Sequence, residues 1–299
     1  MTTARFVTDG GLETDLIFHS GVDLPHFAAF PLVDDRGGKE LLARYYDGYA
    51  DIARTAGAGL VLEAATWRAN PDWGARLGYS ATDLDRVNTA AIEHLAGLRE
   101  RYAGAIGPVL VSGSVGPRGD GYAADNRLEP EQAAEYHRPQ LAAFAVAGAD
   151  LATAYTLTDV GEAIGIVTAA RSAGLPVAIS FTVETDGRLP SGSTIADAIT
   201  TVDAAAPPDY FLVNCAHPSH IGAGLDGVGP WRDRIHGVRA NASVKSHAEL
   251  DASDVLDEGD VGYLVSTHRE LADELPALRI VGGCCGTDAR HVAALWDVA

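Results

Sequence analysis

Residues 40–63 read ELLARYYDGYADIARTAGAGLVLE, a helix pattern, a glycine and an apolar run in direct succession. Leu41, Leu42, Tyr45, Tyr49, Ile52 and Ala53 recur at steps of three and four, which puts them on one side of a helix over 40–56. Gly57 follows the last periodic residue, where a left-handed backbone can end a helix without a Cβ clash. Leu60-Val61-Leu62-Glu63 is then nearly continuous in apolar character, as a parallel strand covered on both faces should be.

The same helix–glycine–strand unit returns at Ala147-Gly148-Ala149-Asp150-Leu151, and the pattern extends in both directions. Strands are predicted at Arg5–Thr8, Leu60–Glu63, Val109–Gly113, Leu151–Tyr155, Val177–Thr182, Phe211–Asn214, Ile235–Ala240 and Arg279–Val281. Helices are predicted at Ala81–Tyr102 with Thr82 as its N-cap, at Pro130–Ala147, at Val160–Ser172 and at Thr194–Ala206. Eight strands alternating with helices predict an α/β fold of the TIM-barrel type, (β/α)8, with an open doubly wound sheet as the alternative. Neither a composition shift nor a low-complexity linker divides residues 1–299, so the expectation is one domain.

Bulk properties narrow the partners. A hydrophobic fraction of 47% supports a large core, and a net charge of −19 argues against nucleic acid or an anionic membrane as partner. No run of about 18 apolar residues predicts a membrane-spanning helix. Met1 to Asp9 lacks the apolar centre of a secretory signal, so a cytoplasmic location is expected.

A barrel concentrates its chemistry at the C-terminal ends of its strands. Those ends carry Asp9-Gly10-Gly11, Thr66, Asn214-Cys215 and Gly282-Gly283-Cys284-Cys285-Gly286. Cys215 and Cys284 stand 69 positions apart, so no local zinc-finger spacing exists. In a barrel, however, the ends of the sixth and eighth strands open onto one mouth, and three thiolates can converge there. Zinc held by three protein ligands keeps a fourth position open, which suits catalysis. Two other readings stand beside it: three buried apolar cysteines, or a redox pair at Cys284-Cys285.

Longer motifs carry a resemblance. Asp9-Gly10-Gly11-Leu12-Glu13-Thr14, Ser112-Gly113-Ser114-Val115-Gly116-Pro117, Tyr136-His137-Arg138-Pro139-Gln140, Val213-Asn214-Cys215 and Gly282-Gly283-Cys284-Cys285-Gly286 resemble the motifs of the homocysteine S-methyltransferase family, nearly end to end. The resemblance implies a (β/α)8 barrel with Zn2+ on Cys215, Cys284 and Cys285, and no catalytic residue beyond the zinc site. It implies a small-molecule thiol acceptor at the fourth position and a cationic methyl donor, S-methylmethionine or S-adenosylmethionine, with betaine less favoured. Three thiolates around zinc leave a net negative charge, which a fourth sulfur deepens, and which attracts such a cation.

Softer roles follow from the same likeness. Asp9, Gly10, Gly11 and Thr66 are expected at the acceptor, Trp67 facing the donor cation, and Asn214 and Gly283 supporting the cysteine loops. The histidines, His137, His217, His220 and His247 among them, are expected to be surface or packing residues. Two departures bear on the acceptor. Tyr155 stands where the family usually places a Glu for the acceptor's amino group, and Ala240-Asn241-Ala242-Ser243 replaces the usual Pro-Asn-Ser/Ala-Gly. Both leave methyl transfer intact but open the acceptor to a different thiol or a selenol. A zinc-binding barrel without catalysis is the reading from another class.

Overall fold

A computed structural model describes residues 4–119, 121–122 and 127–298. Residues 1–3 of the Met1–Asp9 segment and the extreme ends of the 1–299 domain therefore lie outside the described residues. The chain forms the closed parallel barrel that the alternation predicts: β1 Phe6–Val7, β2 Gly59–Glu63, β3 Val109–Val115, β4 Leu151–Leu157, β5 Val177–Phe181, β6 Tyr210–Asn214, β7 Ile235–Ala240 and β8 Ile280–Gly283. Each strand pairs with the next in sequence. β8 closes on β1 through Phe6↔Ile280 and Val7↔Val281.

Most elements lie where the sequence places them, and the differences have local causes. The helix expected over 40–56 begins earlier and spans Arg36–Ala56, because the Asp35 carboxylate accepts hydrogen bonds from Gly37 N (3.0 Å) and Gly38 N (2.8 Å). The N-cap of Ala81–Tyr102 is Ser80 rather than Thr82. Ser80 Oγ accepts from Asp83 N and the Asp83 carboxylate accepts from Ser80 N, a reciprocal capping pair. β3 runs past Gly113, which the sequence suggests as a stop. That glycine is there for packing, since a Cβ would collide with the Phe144 ring.

Alternation along the strands sorts side chains to two faces. Leu60, Leu62, Ile179, Phe181, Phe211, Val213 and Val238 join the large hydrophobic cluster shared with the surrounding helices. Phe6, Val61, Tyr155, Ala178, Leu212 and Ile280 form a second, smaller cluster drawn from the strands alone, which fills the barrel. Toward the C-terminal ends of the strands the inward positions become polar: Glu63 on β2, Thr153 on β4, Ser180 on β5, Asn214 on β6 and Arg239 on β7, all buried.

Candidate metal and acceptor site

The cysteines are aimed by backbone geometry. Immediately after β6, Cys215 adopts φ 55°, a left-handed conformation that costs a residue with a Cβ roughly 1–3 kcal/mol. The surroundings hold it there. Its N–H donates to Arg239 O (3.1 Å), and its carbonyl accepts from His247 Nε2 (2.5 Å) and Asn241 Nδ2 (3.0 Å). Across the mouth, Cys284 N donates to Ala240 O (2.8 Å) and Cys285 O accepts from Ala242 N (3.2 Å). Gly286 takes φ 76° and turns the chain away, so two adjacent side chains reach one centre.

All three Sγ atoms lie within 4.8 Å of one another. Cys215 and Cys285 Sγ are 3.9 Å apart, and Cys215 and Cys284 are in disulfide contact with Cα atoms 5.4 Å apart. The convergence that lets two sulfurs pair also lets three surround one ion. The donor set fits a soft metal such as zinc, which takes thiolates in tetrahedral geometry and here would have one position left over. Burial pushes the Cys285 thiol up to about 11, so a cation among the sulfurs is what would allow it to ionise at neutral pH.

Asn214 ties the surrounding loops together. Its Oδ1 accepts from Thr156 N (2.9 Å) and Ser180 Oγ (2.7 Å), and its Nδ2 donates to Thr156 Oγ1 (2.9 Å) and faces Cys284 Sγ at 3.8 Å. Gly283 is required for the same packing, because a Cβ there would run into Thr287 Oγ1.

The sulfurs open onto a pocket at the barrel mouth. Asp9, Gly10, Gly11, Trp67, Tyr155 and Asn214 line it with the cysteines. Thr66 does not: it is fully buried and its hydroxyl donates to Ser114 O (2.8 Å). Asp9 reaches the cavity with its carboxylate already engaged, by Arg239 Nη2 (2.7 Å), Tyr45 Oη (3.1 Å) and Thr8 Oγ1 (3.1 Å). Burial raises its pKa, and those three partners pull it back. Trp67 donates from Nε1 to Tyr155 O (3.3 Å), and the Arg68 guanidinium covers its ring at 4.6 Å, so a cation already occupies one approach to it.

Four residues in the site carry no sequence-based expectation of this kind. Tyr122 places its hydroxyl 3.5 Å from Cys215 Sγ and 3.6 Å from Cys285 Sγ, and its ring packs on His247 at 4.2 Å. His247 is a packing residue as expected, but what it packs against is the Cys215 loop. Glu63 and Arg239 sit inside the barrel. Tyr155 Oη donates to Glu63 Oε1 (2.7 Å), and Arg239 lies 4.8 Å over the Tyr155 ring. A charged residue at an inward strand position, within Leu60-Val61-Leu62-Glu63 or Val238-Arg239-Ala240, was the available signal. Burial pushes both Glu63 and Glu13, another cavity residue, up to about 7.

Comparison with known proteins agrees with this geometry. The sequence profile of the family described as Homocysteine S-methyltransferase matches residues 6–299. The homocysteine S-methyltransferase of Escherichia coli (strain K12) is 27% identical over 280 residues, covering 86% of this chain and 82% of the relative. The E. coli homocysteine methyltransferase MmuM shares the fold. Its metallated form superposes with a TM-score of 0.77 at 22% identity, covering 100% of this chain and 97% of that one. Its oxidized form gives 0.76 at 22% identity, covering 99% and 96%.

Proposed function

The chain belongs to the homocysteine S-methyltransferase family, and from that premise we propose that it moves a methyl group from a sulfonium donor to a thiolate acceptor at a zinc site formed by Cys215, Cys284 and Cys285. Homocysteine is the proposed acceptor and methionine the product; S-methylmethionine or S-adenosylmethionine is the donor. The observation that carries the reading is the convergence of three sulfurs on a cavity that also holds the carboxylates of Asp9 and Glu63.

Bound to the three cysteines, zinc would supply the Lewis acidity that keeps an acceptor sulfur deprotonated at neutral pH. The protein's own groups do the rest. Tyr122 offers its hydroxyl to the sulfur cluster. Asn214, Asn241 and His247 fix the Cys215 loop, so the sulfur positions do not drift as substrates come and go. Phe27, Trp67 and Tyr122 form an aromatic wall shared with a second pocket, which is lined by Arg68, Asp251 and the Asp257 carboxylate that pairs with Lys245. The aromatic rings are what a cationic donor would meet there. In the transfer, the acceptor sulfur forms a bond to the methyl carbon as the donor's S–C bond breaks. The bonding pair stays on the donor sulfur, which leaves as a neutral thioether. Positive and negative charge cancel, a change that a dry site favours.

Tyr155, in place of a Glu, supports a second reading in which the acceptor is another thiol or a selenol. The test is a methyl-transfer assay on zinc-loaded protein with both sulfonium donors and a panel of thiols and selenols. Methylation of homocysteine is expected. Full zinc occupancy with no methylated product from any acceptor would overturn the enzyme reading and leave a zinc-binding barrel.

A further inference from the structure

The carboxylates inside the barrel are not equivalent. Asp9 and Arg239 form a closed pair. Arg239 also gives Nε to Gly283 O (3.0 Å) and Nη2 to Gly10 O (2.9 Å), and it lies over the Tyr155 ring. Glu63 is only half engaged. Its Oε1 accepts from Tyr155 Oη (2.7 Å) and Thr153 Oγ1 (3.4 Å), whereas Oε2 is buried, lacks a hydrogen-bond partner and belongs to a residue that lines the sulfur cavity. A buried carboxylate oxygen without a donor is costly to a fold, and such an atom marks a place where a ligand completes the bonding. Arg239 makes its direct ion pair with Asp9 and reaches Glu63 only through space, so Glu63 has no salt-bridge partner of its own among the described residues.

We propose that Glu63, held by the Tyr155 hydroxyl, binds the ammonium group of the acceptor and is the residue that selects an amino-acid thiol over a plain one. The inference rests on the acceptor reading above. It changes the meaning of Tyr155. The tyrosine stands where a carboxylate was expected, but it does not leave the site without one. It receives a carboxylate from β2, across β3, and fixes its orientation. Acceptor preference then depends on two residues in series: Glu63, which would touch the ligand, and Tyr155, which positions Glu63.

The experiment compares L-homocysteine with its des-amino analogue γ-mercaptobutyrate on zinc-loaded protein at pH 8. Calorimetric affinity and steady-state methylation are both measured, for wild type, Glu63→Gln and Tyr155→Phe. Wild type is expected to prefer homocysteine. Glu63→Gln should lose homocysteine affinity by roughly 10–100-fold, collapsing the preference, and Tyr155→Phe should fall between the two. A Glu63→Gln variant that keeps the wild-type preference overturns the proposal, as does a Glu13→Gln variant that alone abolishes it. Wild type that methylates both thiols equally also overturns it while leaving the methyltransferase reading in place. If no thiol is methylated, that reading fails, and the affinity ratio still decides whether Glu63 recognises an ammonium group.

Discussion

The two faces of the barrel strands solve opposite problems. Outward, Leu62, Phe181, Phe211 and Val213 pack against helices in an apolar layer. Inward, only one or two positions away, Glu63, Ser180, Asn214 and Arg239 place charge and hydrogen-bonding capacity in equally buried surroundings. The first face is bonded by area, at about 25 cal/mol per Å² removed from water. The second is bonded by direction, and among the four inward residues just named the one buried polar atom without a partner is Glu63 Oε2. Stability and activity are thus carried by alternate residues of the same strands.

The sharpest way to break this contrast is at the sulfurs. Cys284→Ser should abolish high-affinity zinc binding and methyl transfer while the melting temperature of the metal-free protein stays within a few degrees of wild type. Metal analysis and thermal melts in chelator check both halves. A metal-free protein that unfolds would place the sulfurs with the structural face instead.

On the outward face the loss should be one of stability. Phe211→Ala removes a fully buried ring and is expected to cost about 3–5 kcal/mol, read by denaturant unfolding, with zinc stoichiometry unchanged in the folded fraction.

Glu63 tests the contrast through pH. Its carboxyl, near 4.5 when unfolded, is pushed up to about 7 by burial, so the folded state binds the proton more tightly. The native protein therefore loses stability as pH rises from about 4.5 to 7, and the penalty is constant above that. Glu63→Gln should be more stable than wild type by about 2–3 kcal/mol at pH 8, with the gain vanishing below the unfolded pKa. Unfolding curves at several pH values check this, and a variant less stable than wild type at pH 8 would mean that the charge is better compensated than the cavity suggests.

The smallest effect belongs to the inward residue that ties the loops around the sulfurs. Asn214→Ala removes the bonds to Thr156 and Ser180 and should weaken metal affinity by about 10–100-fold with a modest change in stability, measured by competition with a chromogenic chelator.

Periodicity is a local signal, and so the outward face was the legible one. Helix stripes, glycine stops and apolar runs placed all eight strands, with errors only at ends set by caps and partner strands. The cysteines were legible because their motifs are rare and their strands close in space. Tyr122, Glu63 and Arg239 were not assigned, and His247 was read only as surface or packing, for a physical reason. Their partners lie across the barrel or on other loops, and which inward residues meet depends on the register of closure, which no window of sequence contains. Tyr155 shows the limit best. Aligned alone it looks like a lost carboxylate, and only the barrel brings Glu63 to it.

Closure of β8 on β1 has a consequence for how the protein is made. A nascent chain with seven strands released from the ribosome presents a sheet with two free edges and one of the three cysteines, Cys215. The other two sulfurs follow β8, the strand that seals the barrel and whose Gly283 N–H bonds to Asp9 O (2.9 Å). Coordination of a metal by all three cysteines, as proposed, therefore cannot precede completion of the barrel. A cell short of zinc would be expected to accumulate finished barrels rather than half-made chains holding the metal.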